Sequence, residues 1–382
     1  MNSHPTCSID DLATLLPLFC NAEMHPFLIS PPGIGKTTQV RTFADLIKAK
    51  LIVESVALLD RLDLGGLPYT EEREGHRVTR FAPCDLIRDL CVETNPNGPK
   101  SLVYWNEMNS GHESVLPSLY RLFDERAVGG LHLRPNVFMI ADGNPASSMS
   151  SGRDLPMALR RRFCWLSVTN DLKTFERWAS NNGIDVRILA FLNCGDFGRF
   201  LNDFDATKRD RLTYSCPASW EKLSKILPQA LKLKDGARNV AFAAIIGMEA
   251  AASLHAFLKH QEKLPKISVI LSNPENAELP AKTELLSLLV AGVVNACGQE
   301  GGRFLSPALE LGVRMISAPP ASGSDAAQLP EYGVFLLRML MRNDRLRPQV
   351  QRNALYPRLL AALEARPELM EAIMMFGRAT AA

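Results

Sequence analysis

The sequence predicts an α/β fold in which a parallel sheet is sandwiched by helices, followed by an all-helical remainder. Three observations carry that expectation. Up to about residue 169, apolar runs alternate with helical spacing, as parallel strands joined by crossover helices require. A turn rich in glycine and proline, Ser30-Pro31-Pro32-Gly33-Ile34-Gly35-Lys36-Thr37-Thr38, stands between the first clear apolar run and a helical segment. Beyond Thr169 the strand-like runs stop and only helical spacing continues.

Taken in order, Asp10 to Cys20 reads as a helix, Phe27 to Ser30 as a strand, Gln39 to Lys50 as a helix and Leu51 to Val56 as a second strand. The alternation then breaks. Leu64-Gly65-Gly66-Leu67-Pro68 is a turn, and Pro68 to Thr70 is expected to pair with His76 to Phe81 around Glu74-Gly75. Asp85 to Cys91 is a short helix, Ser101 to Trp105 a third strand, Glu113 to Phe123 a helix, Val137 to Ala141 a fourth strand and Phe163 to Val168 a fifth. Helices follow at Leu172 to Ser180, Asp185 to Leu192, Ser219 to Leu227 and, long and strongly apolar, Ala237 to His260. Thr283 to Ala296, Ser306 to Ile316, Tyr332 to Met341 and Pro357 to Ala365 keep helical spacing, the last with proline at its tolerated first position. Ser317 to Ser324 has the composition of a flexible linker. The expected division is 1–169, 170–264 and 265–382.

Composition sets bounds. The 382 residues suffice for two or three domains, and 46% hydrophobic with 22% charged residues is ordinary for a globular protein. A formal net charge of +2 gives no argument for nucleic acid or an anionic membrane. The eight cysteines form no close Cys-x-x-Cys pair and no signal peptide opens the sequence, so a reduced, cytoplasmic protein is expected. Val240 to Leu258, interrupted by Glu249, Ser253 and His255, reads as a core helix and not as a membrane span. His255 and His260 share no helix face well, so no zinc site is read from them.

The chemistry of the turn is that of a phosphate cradle. Glycines let the main chain curl until several N–H groups converge on phosphate oxygens, and the following helix adds its positive end. Pro32, Gly33, Ile34, Gly35, Lys36, Thr37 and Thr38 are the candidate nucleotide-binding residues, with Lys36 reaching the outer phosphates and Thr37 offering its hydroxyl to Mg2+. Roughly 70 residues later, Leu102-Val103-Tyr104-Trp105-Asn106-Glu107 is a buried strand ending in a polar pair. Glu107 can polarise an attacking water, and Asn106 can accept from a metal-bound water without adding charge. The bland alternative for Glu107 is an acid at a helix N-terminus. Asn144, in Ile140-Ala141-Asp142-Gly143-Asn144-Pro145, lies at the carboxyl edge of the next strand and can orient the water, or it merely makes an Asn-Pro turn. Arg160, Arg161 and Arg162 follow Ala158-Leu159. They either neutralise charge on a transferring phosphoryl group or form a solvated basic turn.

In this order the pieces resemble the AAA+ ATPases, and within them the MoxR and dynein-related group, over about residues 10–260. Ser30 to Thr37 looks like the Walker A loop, with Ser30 at the usual first glycine. Leu102 to Glu107 looks like Walker B, Asn144 like sensor 1, and Arg161 and Arg162 like the arginine-finger segment. The turn at Asp63 to Pro68 with its hairpin, and a second hairpin at Ala127 to Asn136, resemble inserts of this group. The resemblance implies an αβα nucleotide-binding core, an α-helical lid and a C-terminal helical extension of unassigned role. It implies ATP and Mg2+, with Thr37 and Asn106 near the metal, and ATP hydrolysis with Glu107 and Asn144 acting in cis. It also implies a ring, commonly a hexamer, in which Arg161 or Arg162 enters the neighbour's site. Two departures stand out. Asn106 replaces the usual aspartate, and Ala218, in Cys216-Pro217-Ala218-Ser219-Trp220, occupies the sensor 2 arginine position. Arg238 is the candidate substitute for that missing cation.

Three functions compete on the sequence. An ATP-driven remodeller would act on a protein client, through a partner carrying a von Willebrand factor A domain. A nucleotide-gated assembly subunit would bind ATP and hardly turn over, as Asn106 and Ala218 suggest. A nucleic-acid motor would use Arg338, Arg342, Arg345, Arg347 and Arg352, although scarce aromatics and nearby acids argue against nucleic acid. A small-molecule kinase fits the helical lid poorly. No base-reading motif separates ATP from GTP.

Overall fold

Six strands form one parallel sheet whose central members are the most apolar. In the computed structural model these are β1 (Thr6–Ser8), β2 (His25–Ile29), β3 (Lys50–Ser55), β6 (Ser101–Asn106), β9 (Val137–Gly143) and β10 (Phe163–Thr169). Between them, in chain order, come α1 (Leu12–Asn21), α2 (Lys36–Leu46), α3 (Arg61–Gly65), β4 (Leu67–Arg73), β5 (His76–Ala82), α4 (Asp85–Leu90), α5 (Leu116–Asp124), β7 (Ala127–Val128), β8 (Leu131–His132) and α6 (Met157–Arg160). The structure describes residues 4–145, 154–205, 207–208, 210–299, 302–319, 329–366 and 369.

The sheet order is β1-β10-β2-β9-β6-β3. The chain leaves β2 towards β3 on one side and leaves β9 towards β10 on the other, so the gap between β2 and β9 is a topological switch point. Crevices of this kind, beyond the carboxyl ends of the strands, are where open α/β sheets bind ligands. Side chains alternate between two apolar layers. Leu28, Leu102, Tyr104 and Ile140 pack with α1 and α2, whereas Phe27, Val103, Trp105, Met139 and Ala141 pack with α5. Asp142 registers with Leu28, which puts it on the α2 side.

Two hairpins stand beside the sheet. β4 and β5 pair antiparallel from Leu67↔Ala82 to Arg73↔His76, closed by Glu74 (φ 52°) and Gly75 (φ 79°), the two positive-φ positions of a type I′ turn. β7 and β8 close through Gly129 and Gly130 in the same way. Arg134, nearly fully buried, gathers the Asp89, Asn95 and Pro99 carbonyls and so fixes the loop that feeds β6.

The second compact unit, residues 171–204 and 210–382, is helical over its described residues. Its helices are α7 (Leu172–Asn181), α8 (Val186–Leu192), α9 (Pro217–Ala230), α10 (Asp235–Ile246), α11 (Met248–Lys259), α12 (Ile267–Ser272), α13 (Thr283–Gln299), α14 (Leu305–Ser317), α15 (Leu329–Arg342), α16 (Arg347–Gln351) and α17 (Tyr356–Glu364). One apolar core runs through them, with α13 against α8 and α15 against both α13 and α7. Glu176 on α7 is fully buried and is met by Arg338 and Arg342, the first of which also donates to Asn193 Oδ1, and such pairing is the form in which a buried charge is tolerable.

Several sequence expectations need correction. The helix expected over Ala237 to His260 is broken at Gly247 (φ 83°, ψ 162°), which ends α10 and starts α11. No described helix is long and apolar enough to cross a membrane. The helix after the glycine-rich turn begins at Lys36, not Gln39, because Gly35 (φ 105°) caps it directly. β1, α3, α6, α12 and α16 have no counterpart among the expected elements; each is too short to show a period. α14 runs through Ser317, and residues 320–324 of the expected linker lie outside the described residues.

Candidate nucleotide site

The turn after β2 is built around Lys36. Gly33 (φ 80°) and Gly35 (φ 105°) take conformations that a side chain resists, and they turn the chain into α2. Ile34 is buried and its carbonyl accepts from the Asn170 side chain, which anchors the loop to the end of β10. Lys36 is itself only 8% exposed. Its ammonium donates to Ser30 Oγ at 2.8 Å and to the Ser30 carbonyl at 3.3 Å, and lies 3.5 Å from Asp142 Oδ2. Ser30, the departure from glycine, thus has a task, since its hydroxyl seats the lysine. Burial pushes the Lys36 pKa down and outweighs the attraction of Asp142 and, further off, Glu107. Thr37 and Thr38 are exposed at the start of α2, and Pro32 is half-buried in the turn.

The end of β6 meets the same place. Glu107 has left-handed backbone (φ 53°, ψ 42°), an uncommon state for a non-glycine residue. Its N–H donates to Asp142 Oδ1 at 2.7 Å, while its side chain is exposed and has no hydrogen bond among the described residues. Met108, fully buried, pins the short turn that follows. Asn106 is half-buried on the same sheet face as Tyr104. The Tyr104 hydroxyl is buried beside Asp142 and Thr37 yet satisfies hydrogen-bond geometry with neither. Burial, and then the Asp142 charge, push its pKa well above the usual tyrosine value.

The remaining candidates fall elsewhere. The Asn144 backbone is clamped by the Asn109 amide, whose Nδ2 donates to the Asn144 carbonyl at 2.7 Å and whose Oδ1 accepts its N–H at 3.3 Å. Gly143 makes that approach possible, because a Cβ there would lie 2.5 Å from Asn109 Oδ1. Asn144 lines a hollow of about 290 Å3 with Arg160 and Arg161 on the Phe27 side of the sheet. Nothing in the described contacts joins it to Lys36. The three arginines separate by role. Arg160 pairs with Asp154 at 3.0 Å, and Arg162 pairs with Asp124 at 2.7 Å and lies over the Tyr120 ring. Arg161 is exposed and engages no partner among the described residues.

Sequence reasoning missed Asp142, Tyr104 and Asn109. A signal for the first was present: a carboxylate closing the apolar run Phe138-Met139-Ile140-Ala141 needs a partner or a task once buried. Arg238, the candidate for the missing lid cation, is committed within its own unit. It donates to the Leu231 and Leu233 carbonyls and pairs with Asp235 at 3.3 Å.

The residues around Lys36 suit a small hard cation. A buried carboxylate, a threonine hydroxyl, an amide and an orphaned phenol are oxygen-rich donors, the chemistry Mg2+ takes. Among the described residues no group of three or more His, Cys, Asp or Glu side chains is placed to hold a metal. Mg2+ is usually bound through one or two carboxylates together with substrate phosphates, and Asp142 is such a carboxylate. With a glycine-turned loop, a capped helix and a seated lysine at the switch point of a parallel sheet, the assignment follows. The core is a parallel α/β sheet sandwiched by helices, as the sequence predicts, with a phosphate-cradle type of turn leading into α2.

No protein-family model matches the chain, and no curated protein matches it. Solved structures do resemble it distantly. The Thermotoga maritima RuvB Holliday junction branch migration motor is similar over 80% of this chain and 88% of its own, at 16% identity and a TM-score of 0.35. A putative ATPase from Cytophaga hutchinsonii is similar over 77% of this chain and 75% of its own, at 16% identity and a TM-score of 0.30. At that distance the likeness carries no functional argument.

Proposed function

We propose that this chain is an ATP-binding, ATP-hydrolysing ring protein resembling the MoxR group, which remodels or activates a partner protein in the cytoplasm. The observation that carries the reading is Lys36, buried and seated by Ser30 and Asp142 at the start of α2, with the main-chain N–H of Glu107, whose side chain is exposed, donating to the same Asp142. The loop amides and the positive end of α2 bind the triphosphate tail. Lys36 moves its ammonium from Ser30 and Asp142 onto the outer phosphates. Glu107, whose side chain has no hydrogen bond among the described residues and which is oriented by its left-handed backbone, holds the attacking water and takes up its proton. Thr37, with Asn106 in reach, would hold Mg2+, which would supply positive charge to offset that of the phosphate oxygens. Asn144, its backbone clamped by Asn109 at the carboxyl edge of the neighbouring strand, is the residue the resemblance implies for aligning the water, which requires its side chain to turn from the hollow it lines. Arg161 acts on the site of the next protomer in a ring, a hexamer in the form the resemblance implies. Arg162 is occupied by Asp124 and serves as an anchor. The client is a protein, met through a partner with a von Willebrand factor A domain.

A nucleic-acid motor has less support. Of the basic C-terminal residues, Arg338 and Arg342 are turned onto buried Glu176, and Arg347 pairs with Asp344. The competing reading is a subunit that binds ATP and assembles without turnover, for which Asn106 and Ala218 speak. Phosphate release and molar mass, measured together with and without ATP, separate the two. Steady release abolished by Glu107→Gln, with ATP-dependent assembly retained, supports the ATPase. Assembly without release in the unaltered protein overturns hydrolysis and leaves the gated subunit.

A further inference from the structure

The sequence leaves the site short of one carboxylate, because Asn106 stands where an aspartate is expected at the end of β6. The structure places a carboxylate one strand away. β9 lies between β2 and β6, and Trp105 of β6 registers with Ala141 of β9, so Asn106 and Asp142 are the next residues along two adjacent strands. Asp142 shares the sheet face of Leu28 and α2. It is 3% exposed, accepts the Glu107 N–H at 2.7 Å and stands 3.5 Å from the Lys36 ammonium. Tyr104 on β6 directs its buried hydroxyl to the same spot, beside Asp142 and Thr37.

Resting on the nucleotide-site reading above, we propose that Asp142 supplies the metal-supporting carboxylate of this site, the acidic group having moved from β6 to β9. Asn106 is then a consequence and not a defect. An aspartate at both positions would bury two like charges side by side beside one lysine, and the amide at 106 avoids this while still accepting a hydrogen bond. Asp142 does a second thing from the same place. Its Oδ1 fixes the backbone of Glu107, so the group that supports the metal also orients the residue that handles the attacking water. A metal-free triphosphate brings its own negative charge against the Asp142 carboxylate and draws Lys36 away from it. The site therefore favours the magnesium complex over free nucleotide.

The test is a titration with a fluorescent ATP analogue, in Mg2+ and in EDTA, on the full chain as wild type, Asp142→Asn, Asn106→Asp and Asn106→Asp/Asp142→Asn. Wild type binds more tightly with Mg2+. Asp142→Asn, which keeps an acceptor for the Glu107 N–H, loses about tenfold or more of that Mg2+ dependence, and its metal-free affinity does not fall. The double variant returns a carboxylate to β6 and recovers the Mg2+ dependence. Asn106→Asp alone gains none, which gives a reading even if Asp142→Asn fails to fold. Unchanged Mg2+ dependence in Asp142→Asn, no recovery in the double variant, or a gain in Asn106→Asp alone each overturns the inference. A wild type that binds no triphosphate at all defeats the nucleotide site itself, whereas a wild type that binds with a Mg2+ dependence equal to that of Asp142→Asn defeats only the role of Asp142.

Discussion

Lys36→Met is the perturbation whose size the structure lets one work out before any nucleotide is added. The side chains of Lys36 and Asp142 are 8% and 4% exposed, at 3.5 Å. At an effective dielectric constant of 20 their bare attraction is about 5 kcal/mol. Burial already offsets much of it, since the Lys36 pKa is pushed down despite the neighbouring carboxylate. The pair therefore adds little net stability, yet breaking one half of it is expensive. Methionine fills the same volume and leaves Asp142 Oδ2 buried without a cation, while Oδ1 keeps the Glu107 N–H. That puts the loss at the low end of the range for an orphaned buried charge, about 3 kcal/mol. For a unit of this size, with each kcal/mol shifting the midpoint by about 2–4 °C, the transition moves down by about 6–12 °C.

The assay is scanning calorimetry of the nucleotide-free protein, wild type against Lys36→Met, Asp142→Asn and the double variant. Removing the carboxylate as well relieves the orphan, so the double variant melts above Lys36→Met by most of that interval, with a coupling of about 2 kcal/mol. Two results refute the reasoning. Lys36→Met melting with the wild type would mean that the pair is not a buried one in solution. Strict additivity of the two single variants would mean that they do not meet.

Further predictions follow from particular contacts. His25 is buried against the Phe123 carbonyl, and burial, then the charge of Arg126, hold its pKa down at about 4. The unfolded chain binds that proton near pH 6.5 and the folded chain does not, so stability falls by up to about 3 kcal/mol between pH 6.5 and 4; urea unfolding of His25→Gln across this window should show the slope reduced. Arg161→Ala should lower steady ATP turnover by about 10³-fold with an unchanged melt, and Arg162→Ala, which frees Asp124, should lower the melt; a melt lowered by Arg161→Ala instead would reverse the two roles. Gly143→Ala forces a Cβ to within 2.5 Å of Asn109 Oδ1, so it should slow turnover more than it weakens ATP binding, as fluorescence titration beside phosphate release would show.

What was legible in the sequence is what neighbours along the chain can encode. The loop from Ser30 to Thr38 is a local object, since glycine conformation and a helix start need no distant contact, and the structure folds it into such a turn. The same holds for Glu74-Gly75, a two-residue signal that closes the hairpin in the expected place. The length of that hairpin was not legible, because its outer pairs are mostly exposed and carry no apolar alternation. Gly247 was misread for the opposite reason. Its flanks are apolar with helical spacing on both sides, and only its positive φ, next to the Thr213 carbonyl, reveals the break. Asp142 and Tyr104 belong to a third kind. Each lies in an apolar strand whose pattern says only that it is buried, and what each faces is fixed by the order β2-β9-β6. No spacing rule along the chain contains that order.

Placement also separates the three consecutive arginines, which the sequence does not distinguish. A charge run in isolation is a solvated face. Here Arg160 is drawn back to Asp154 and the Leu155 carbonyl, and Arg162 is drawn across to Asp124 and Tyr120. Each anchored guanidinium fixes the backbone on one side of Arg161, so the middle residue has a rigid base and an exposed head that no described side chain engages. A cation that must stabilise charge in a site it does not line needs both properties, because a floppy base would give back in entropy what the contact supplies. In the proposed function the anchors are therefore part of the arrangement that presents Arg161. Asp124→Asn should lower turnover through Arg161 without touching ATP affinity, and mixing it with Glu107→Gln protomers decides whether the effect crosses a subunit boundary. If every mixed assembly shows only the activity its own intact protomers account for, the group acts within one chain and the ring arrangement of the site is wrong.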